Sequence, residues 1–271
     1  MLRSAAEKEL QTRFAKSYLR NQAPVMRRIE ESVCGCDYGG TSWSTRREVD
    51  HIARKLALRP GRRLMDLGAG SGWPGLYLAA LSGCDITLVD LPAEGLAIAA
   101  ARARADRLPG FRGVAAADGR ALPYGDKCFD AITHSDVLCC SPGKQAVLAE
   151  CRRTVADGGR MIFTVLVLGE GLSGQDRARA ADLGPPYVTT ETEYAEMSRL
   201  TGWETVGQTD LSAQFLDNAK AFLAADRANQ TELAALLGRE DYGLRLEKDA
   251  DYIAAVTEGI LRRELYELRA A

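Results

Sequence analysis

The sequence contains no apolar run long enough to cross a membrane. The longest such run, residues 161–168, has the length of a strand, whereas a transmembrane helix needs about 20 apolar residues. Residues 1–16 carry Glu and Lys where a secretory signal would require an apolar segment. We therefore expect a cytoplasmic protein that does not associate with membranes.

The sequence also lacks an excess of either charge. Lys and Arg number 35 and Asp and Glu 37, which gives a formal net charge of −2. A near-neutral protein has no strong electrostatic attraction to polyanions, so we expect no nucleic-acid partner. The composition, 46% hydrophobic and 27% charged over 271 residues, is that of an ordinary globular protein with one large domain.

Metal-binding and disulfide patterns are missing as well. The seven cysteines are an odd number without CxxC spacing, and they include the adjacent pair Cys139 and Cys140. This pattern is typical of reduced intracellular thiols, so we predict neither a metal site nor a disulfide framework. Only two histidines are present, His51 and His134.

The middle of the chain alternates short apolar segments with longer helical ones. Strands are predicted at residues 63–67, 85–90, 111–117, 129–133 and 160–168, with a turn at 157–159 before the last. Alternation of this kind predicts right-handed crossovers and a buried parallel sheet with helices on both faces. The predicted fold class is therefore α/β, with a doubly wound sheet.

The two ends are predicted to add helical elements to this core. The predicted elements are helices at 5–33 and 46–58, a polar loop at 169–186, a helix at 190–201 with a capping box from Thr190 and Glu193, a strand at 203–209, helices across 211–260, and an edge strand or helix end at 261–268. We expect residues 1–45 to form a lid with an aromatic loop. Residues 46–210 would then form the ligand-binding core, and residues 211–271 a cap and last strand of the same domain.

A glycine-rich loop follows the first predicted strand. Residues 64–75 read LMDLGAGSGWPG, which is a strand, a loop and the start of a helix. Glycines let the backbone approach a ligand closely, and the helix start offers free N–H groups. Residues 70–75 fit the dinucleotide pattern GxGxxG, but Asp66 lies near the strand end, where a carboxylate disfavours a pyrophosphate and suits a sulfonium or ammonium.

Carboxylates end three successive strands, at Asp66, Asp90 and Asp118. Asp90 follows the second strand, where a carboxylate accepts hydrogen bonds from both hydroxyls of a ribose. The alternative for Asp90 alone is a helix N-cap. Asp118 follows the third strand, where a carboxylate can accept from an adenine amine while the backbone of Gly119 and Arg120 meets the ring. The three together predict a nucleoside site.

These segments resemble the class I S-adenosylmethionine-dependent methyltransferases, particularly the small-molecule group. The resemblance is carried by DLGAGSGWPG at 66–75, ITLVDLP at 86–92, DGRALPYGDKCFDAITHSDVL at 118–138 and VADGGRMIF at 155–163. It implies a Rossmann-like, mostly parallel seven-stranded sheet whose last strand is antiparallel. It also implies S-adenosyl-L-methionine as cofactor, S-adenosyl-L-homocysteine as product and a small-molecule acceptor. The cofactor-binding residues that the resemblance and the loop chemistry indicate are Asp66, Gly68, Ala69, Gly70, Gly72, Asp90, Leu91, Asp118, Gly119, Arg120 and His134, with aromatic faces from Tyr38 and Trp43.

Methyl transfer from a sulfonium depends mainly on holding nucleophile, methyl and sulfur in line. A general base is needed only for an acceptor that carries a proton. His134, at the end of the fourth strand, and Asp136 are the candidate catalytic residues. The chain departs from many family members after Leu138, where Cys139 and Cys140 replace an acidic residue and a histidine.

Three other functions remain open from the sequence. The same chemistry could act on a protein or nucleic acid, although the neutral charge and the lack of a basic stripe disfavour this. The glycine loop could serve a nicotinamide-dependent oxidoreductase with the same type of sheet. A third possibility is a nucleoside-binding relative without catalytic activity.

Overall fold

The computed structural model describes residues 3–271 and contains one seven-stranded sheet. The strand order is β3-β2-β1-β4-β5-β7-β6. β1 to β5 run parallel, and β7 is antiparallel to both of its neighbours. The strands are β1 Arg63–Leu67, β2 Asp85–Asp90, β3 Phe111–Ala116, β4 Phe129–Ser135, β5 Val155–Leu168, β6 Trp203–Asp210 and β7 Leu261–Ala270. This topology confirms the predicted Rossmann-like class.

The helices flank the sheet and cover the carboxyl ends of its parallel strands. They are α1 Ala5–Arg20, α2 Pro24–Cys34, α3 Arg46–Lys55, α4 Gly75–Ser82, α5 Ala93–Ala105, α6 Lys144–Thr154, α7 Gly174–Leu183, α8 Tyr194–Leu200, α9 Ser212–Ala228, α10 Gln230–Leu237 and α11 Arg239–Thr257, with a short 3-10 turn at Leu138–Cys140. Within residues 3–271, no helix has the length and apolar character needed to cross a bilayer.

The prediction of one helix over residues 5–33 is wrong. α1 ends at Arg20 and α2 begins at Pro24, a residue that is favoured in the first turn of a helix and disfavoured inside one. Ser4 and Glu7 form a capping box that fixes the start of α1. The break turns α1 away from α2 and across the carboxyl edge of the sheet.

Other predicted boundaries between residues 155 and 201 also differ from the structure. The predicted loop at 169–186 contains α7, whose first turn is capped by the Ser173 hydroxyl accepting from the Asp176 N–H. The predicted capping box at Thr190 is wrong, since α8 begins at Tyr194 and the Thr190 hydroxyl donates to the Thr192 carbonyl. β5 begins at Val155, ahead of the predicted turn at 157–159.

β7 is an interior strand, not the edge strand or helix end predicted at 261–268. It pairs with β5 from Leu168↔Leu261 to Arg160↔Arg269, and β6 covers its other side. The charged residues Arg263 and Glu264 within β7 are buried. They obscured the apolar pattern by which a central strand is normally predicted.

The core lies on both faces of the sheet. One face packs Met65, Phe163 and Tyr266, and the other packs Leu64 and Ile162. At the carboxyl ends of β1, β2 and β4 these layers separate and leave a cavity, which is where open α/β sheets bind ligands.

Candidate active site

The cavity has a volume of about 390 Å³ and lies at the carboxyl edge of the parallel strands. Its floor consists of the loop after β1 and the ends of β2, β3 and β4. Its outer walls come from α1, the loop at 40–43, the segment at 183–186 and α11. The cavity is therefore enclosed by segments from both ends of the chain.

The structure brings most of the predicted site residues to this cavity. Those that line it are Trp43, Gly68, Ala69, Gly70, Asp90, Leu91, Asp118, Gly119, Arg120 and Asp136. In the described part of the chain, the cavity walls do not include Tyr38, Asp66, Gly72 or His134. The glycine loop and the carboxylates after β2 and β3 thus lie together, while the proposed histidine does not join them.

Asp90 is held by the glycine loop. Its Oδ2 accepts hydrogen bonds from the Gly70 N–H at 2.6 Å and the Tyr18 hydroxyl at 3.3 Å, and its Oδ1 accepts from the Leu91 N–H at 2.6 Å. Burial raises the pKa of Asp90 to about 6, although the backbone donors oppose this. The carboxylate is therefore fixed in orientation at the point where the sequence predicted a ribose contact.

The glycines at 68 and 70 are required by geometry. Both have positive φ, 74° and 49°, which disfavours residues with a Cβ. A Cβ on Gly68 would lie 2.3 Å from the Val137 Cγ2, and one on Gly70 would lie 2.8 Å from the Tyr18 ring. The loop therefore packs closely against Val137 on one side and against α1 on the other.

Asp66 and Gly72 support this loop from below. The Oδ2 of Asp66 accepts from the Gly75 N–H at 2.9 Å, which anchors the start of α4. Its Oδ1 has no partner among residues 3–271, and burial raises the pKa of Asp66 to about 8. A Cβ on Gly72 would lie 2.6 Å from the Leu76 Cδ1, so this glycine permits close packing of the helix.

Asp118 forms an ion pair with Arg120 within its own loop. The Arg120 amide and Nε donate to Asp118 Oδ1 at 3.0 Å, and its terminal nitrogen donates to Oδ2 at 2.7 Å. This pairing lowers the pKa of Asp118. Arg120 also contacts Glu7 of α1 at 2.6 Å, so the adenine end predicted for the cavity is closed by α1.

α1 contributes six residues to the cavity walls, and three of them, which the sequence did not single out as site residues, make polar contacts there. Besides Glu7 and Tyr18, Gln11 donates from its Nε2 to the Leu91 carbonyl at 3.2 Å. The three lie at spacings of four and seven residues, which places them on one helical face. That spacing was visible in the sequence, but it does not tell which part of the core the face contacts.

His134 is buried within the sheet and does not line the cavity. It is only 1% exposed, and its ring stacks on Phe163 with centroids 4.8 Å apart. Neither ring nitrogen has a partner among residues 3–271, and burial lowers the pKa of His134 to about 3. The prediction that His134 lines the methyl site is therefore not met, because side chains alternate along a strand and it is the neighbouring Ser135 that faces the cavity.

Asp136, by contrast, lines the cavity immediately after the end of β4. Its backbone adopts φ 56°, and its N–H donates to the Thr164 carbonyl at 2.9 Å. Both of its oxygens accept from the Nε of Arg263 at 3.2 Å. Burial raises the pKa of Asp136, while Arg263 opposes that rise. Arg263 follows Asp136 by 127 residues, so no local pattern could have paired them.

The two predicted aromatic residues have different surroundings. Trp43 lines the cavity, stacks on Tyr252 with centroids 5.9 Å apart, and meets Phe215 edge-on at 5.0 Å. Tyr38 lies outside the cavity walls under the Arg102 guanidinium, 3.8 Å from its ring centroid. Trp43 therefore belongs to an aromatic wall of the cavity, and Tyr38 to the packing of α5.

The fold is that of the class I S-adenosylmethionine-dependent methyltransferases. Residues 65–163 match the family described as "Methyltransferase domain". This part of the chain is therefore a methyltransferase domain.

The chain is similar in sequence to named proteins over part of their length. The chain is 27% identical over 203 residues to the glycine/sarcosine/dimethylglycine N-methyltransferase of Actinopolyspora halophila, covering 73% of this chain and 35% of that protein. It is 28% identical over 173 residues to the 27-O-demethylrifamycin SV methyltransferase of Amycolatopsis mediterranei (strain S699), covering 62% and 64%. The chain thus spans less than two thirds of each of these relatives.

A solved structure supports the fold over nearly the whole chain. The Haemonchus contortus phosphoethanolamine N-methyltransferase 2 in complex with S-adenosyl-L-methionine superposes with a TM-score of 0.77. The alignment covers 95% of this chain and 60% of that one, at 16% sequence identity. At this identity the likeness concerns the fold alone.

The residues present fit S-adenosylmethionine, the cofactor of this class. The loop at Gly68–Gly70 carries only the methyl group of Ala69 as a side chain, and the Asp90 carboxylate keeps free lone pairs while fixed by its backbone donors. Asp118 and Gly119 line the same cavity at the end predicted for the adenine. The chain therefore offers a polar contact for the ribose and an open backbone cradle for the amino-acid end.

Proposed function

We propose that this chain is an enzyme that transfers a methyl group from S-adenosylmethionine to a small-molecule acceptor. The observation that carries the proposal is the position of Asp90, whose carboxylate lies inside the cavity beside the Gly68–Gly70 loop. Asp90 would accept from the ribose hydroxyls, and Asp118 with Gly119 would contact the adenine. The relatives named for methylation of glycine and of a rifamycin support a small acceptor.

The enclosure of the cavity also supports a small acceptor. α1 closes one side through Gln11 and Tyr18, and α11 contributes Tyr252 to the other. A protein segment or a nucleic acid would have to displace these helices to bring a nucleophile to Asp136. The net charge of −2 gives a nucleic acid, which is a polyanion, no compensating attraction.

The chain's main catalytic task is to orient the reactants. When bound, S-adenosylmethionine supplies a methyl group on a sulfonium whose leaving group is a neutral thioether. Fixing two reactants in line contributes up to about 7–11 kcal/mol in favourable cases. In this cavity the glycine loop would fix the cofactor, and the wall containing Trp43, Leu166 and Tyr252 would fix the acceptor.

Asp136 is the residue that we propose to remove a proton from an acceptor that carries one. It lines the cavity, whereas His134 is buried and does not line it. Burial raises the pKa of the Asp136 carboxyl, which makes it a better base than an exposed aspartate. We therefore assign His134 no part in proton transfer.

Calorimetry tests the cofactor assignment directly. We expect S-adenosylhomocysteine to bind and NAD not to bind. Asp90→Ala should weaken S-adenosylhomocysteine binding by ten- to a hundredfold, because charge-assisted hydrogen bonds to both hydroxyls are lost. Asp85→Ala is the matched control, since Asp85 begins the same strand and pairs with Arg112 at the surface. Binding of NAD without S-adenosylhomocysteine would indicate the oxidoreductase instead.

A further inference from the structure

A buried arginine in the last strand links the cavity-lining Asp136 to the segment at residues 44–48. Arg263 lies within β7 and is only 1% exposed. Its Nε donates to both oxygens of Asp136 at 3.2 Å, and its terminal nitrogens donate to Glu48 at 2.9 and 3.1 Å. The hydroxyls of Ser44 and Thr164 each accept from it at 2.9 Å. All three guanidinium nitrogens thus donate to groups that come from separate segments of the chain.

The cluster around Arg263 has an excess of negative charge. Asp136 and Glu48 are two carboxylates on one guanidinium, and the Ser44 hydroxyl donates to Glu48 at 2.7 Å. Buried ion clusters of this kind are weak contributors to stability, because desolvation offsets most of the attraction. Of the two carboxylates, only Asp136 lines the cavity.

The backbone of Asp136 adopts a conformation that is unfavourable for a non-glycine residue. Its φ of 56° lies in the left-handed region, which non-glycine residues adopt rarely and at functional sites. The Nε of Arg263 lies at the same distance from both carboxylate oxygens and so fixes the orientation of the side chain. The Asp136 N–H is bonded to the Thr164 carbonyl and its carboxylate to Arg263, so the carboxylate has one position relative to the Gly68–Gly70 loop.

We propose that Arg263 is a positioning residue that holds the Asp136 carboxylate at the methyl-accepting end of the cavity, with Glu48 as the counter-ion that holds Arg263. The inference deepens the proposed function, on which the identity of that end of the cavity rests. It assigns the last strand, β7, a role in methyl transfer through a residue that touches neither the cavity nor a ligand. The other titratable groups near Asp136 are Cys139, Tyr194 and Tyr252.

A pair of ligands tests this without knowledge of the acceptor. S-adenosylhomocysteine has a neutral thioether, whereas sinefungin carries an amine where the methylsulfonium of the cofactor would be. An ionised, correctly placed Asp136 favours the ammonium of sinefungin. The ratio of the two dissociation constants, measured by calorimetry, therefore reports on the Asp136 carboxylate.

Arg263→Lys is the decisive variant, because lysine keeps the charge but cannot span two carboxylates with a planar fork. We expect the preference for sinefungin over S-adenosylhomocysteine to fall at least threefold. Arg262→Lys, on the neighbouring residue that pairs with Glu170 and Asp210, should leave it unchanged. In an Asp136→Asn background, Arg263→Lys should have no further effect, because its influence passes through Asp136.

Two results would overturn the proposal: an unchanged preference in Arg263→Lys, or an equal loss from Arg263→Lys with and without Asp136→Asn. Near-ultraviolet circular dichroism establishes that each variant is folded. For variants that bind both ligands too weakly for calorimetry, an NMR titration without ligand takes its place. The carbon-13 NMR titration of the Asp136 carboxyl should show a higher pKa in Arg263→Lys than in the wild type, and an equal pKa would contradict the proposal.

The NMR titration also separates the two proposals. A wild-type chain that binds neither S-adenosylhomocysteine nor sinefungin would contradict the proposed function. The titration of Asp136 would still decide whether Arg263 controls that carboxylate.

Discussion

The Tyr18 hydroxyl donates a hydrogen bond to the Asp90 carboxylate over 3.3 Å, and this contact places α1 directly over the proposed ribose site. Gln11 and Glu7 of the same helix reach Leu91 and Arg120. One helix therefore touches each part of the cavity to which we assign the nucleoside. We therefore expect α1 to move when a cofactor enters or leaves along this edge.

The first prediction concerns this helix. Tyr18→Phe keeps the ring that packs over Gly70 and removes only the hydroxyl. Because one hydrogen bond contributes about 0.5–1.5 kcal/mol, we expect S-adenosylhomocysteine to dissociate two- to tenfold faster. Stopped-flow displacement measures this rate. An unchanged dissociation rate would show that α1 does not hold the ligand through Asp90.

The second prediction is a pH dependence of cofactor binding. Burial raises the pKa of Asp90 to about 6, and the ionised form is the one that accepts from the ribose hydroxyls. Affinity for S-adenosylhomocysteine should therefore be constant above pH 7 and fall by up to about tenfold per pH unit below 6. In Asp90→Asn the affinity should be low and show no such fall. A wild-type affinity that stays constant down to pH 5 would contradict the assignment.

Much of the fold could be predicted from the sequence because local patterns carry it. β1 and β2 begin and end where the alternation of apolar segments indicates. The interior position of β7 could not be predicted in this way, because its inward-facing charges are stabilised by partners far along the chain. Arg263 is buried only because Glu48 and Asp136 neutralise it, and a single sequence does not reveal such pairing.

The cavity was predictable to the same extent. The glycine loop and Asp90 depend on strand ends, which the sequence indicates, and the structure brings them together. His134 was placed by its position at a strand end, without regard to the alternation of side chains by which its neighbour Ser135 lines the cavity instead. Glu48 and Arg263 escaped notice because they lie 215 residues apart in the chain.

The third prediction is that buried His134 makes stability depend on pH. Its pKa is about 3 in the folded protein, against 6.5 for an unperturbed histidine. Between these values the unfolded chain binds the extra proton, so His134 lowers the free energy of unfolding as the pH falls from 6.5 towards 3. The full slope for one proton is about 1.4 kcal/mol per pH unit.

Urea unfolding of wild type and His134→Phe at pH 7.5, 6 and 5 measures this contribution. We expect the variant to gain stability relative to the wild type as the pH falls, and to retain its affinity for S-adenosylhomocysteine. His51→Gln, in α3, is the matched control. A difference between wild type and His134→Phe that is the same at all three pH values would contradict the burial of a neutral His134.

The most direct test of the account is the formation of S-adenosylhomocysteine from S-adenosylmethionine in the presence of candidate small acceptors. The account predicts acceptor-dependent product formation, reduced by ~10²-fold or more in Asp136→Asn for acceptors that carry a proton, while Asp85→Ala keeps wild-type turnover. Binding of S-adenosylmethionine with no acceptor-dependent turnover across amines, hydroxyl compounds and carbon nucleophiles would contradict it and indicate a nucleoside-binding protein without methyltransferase activity.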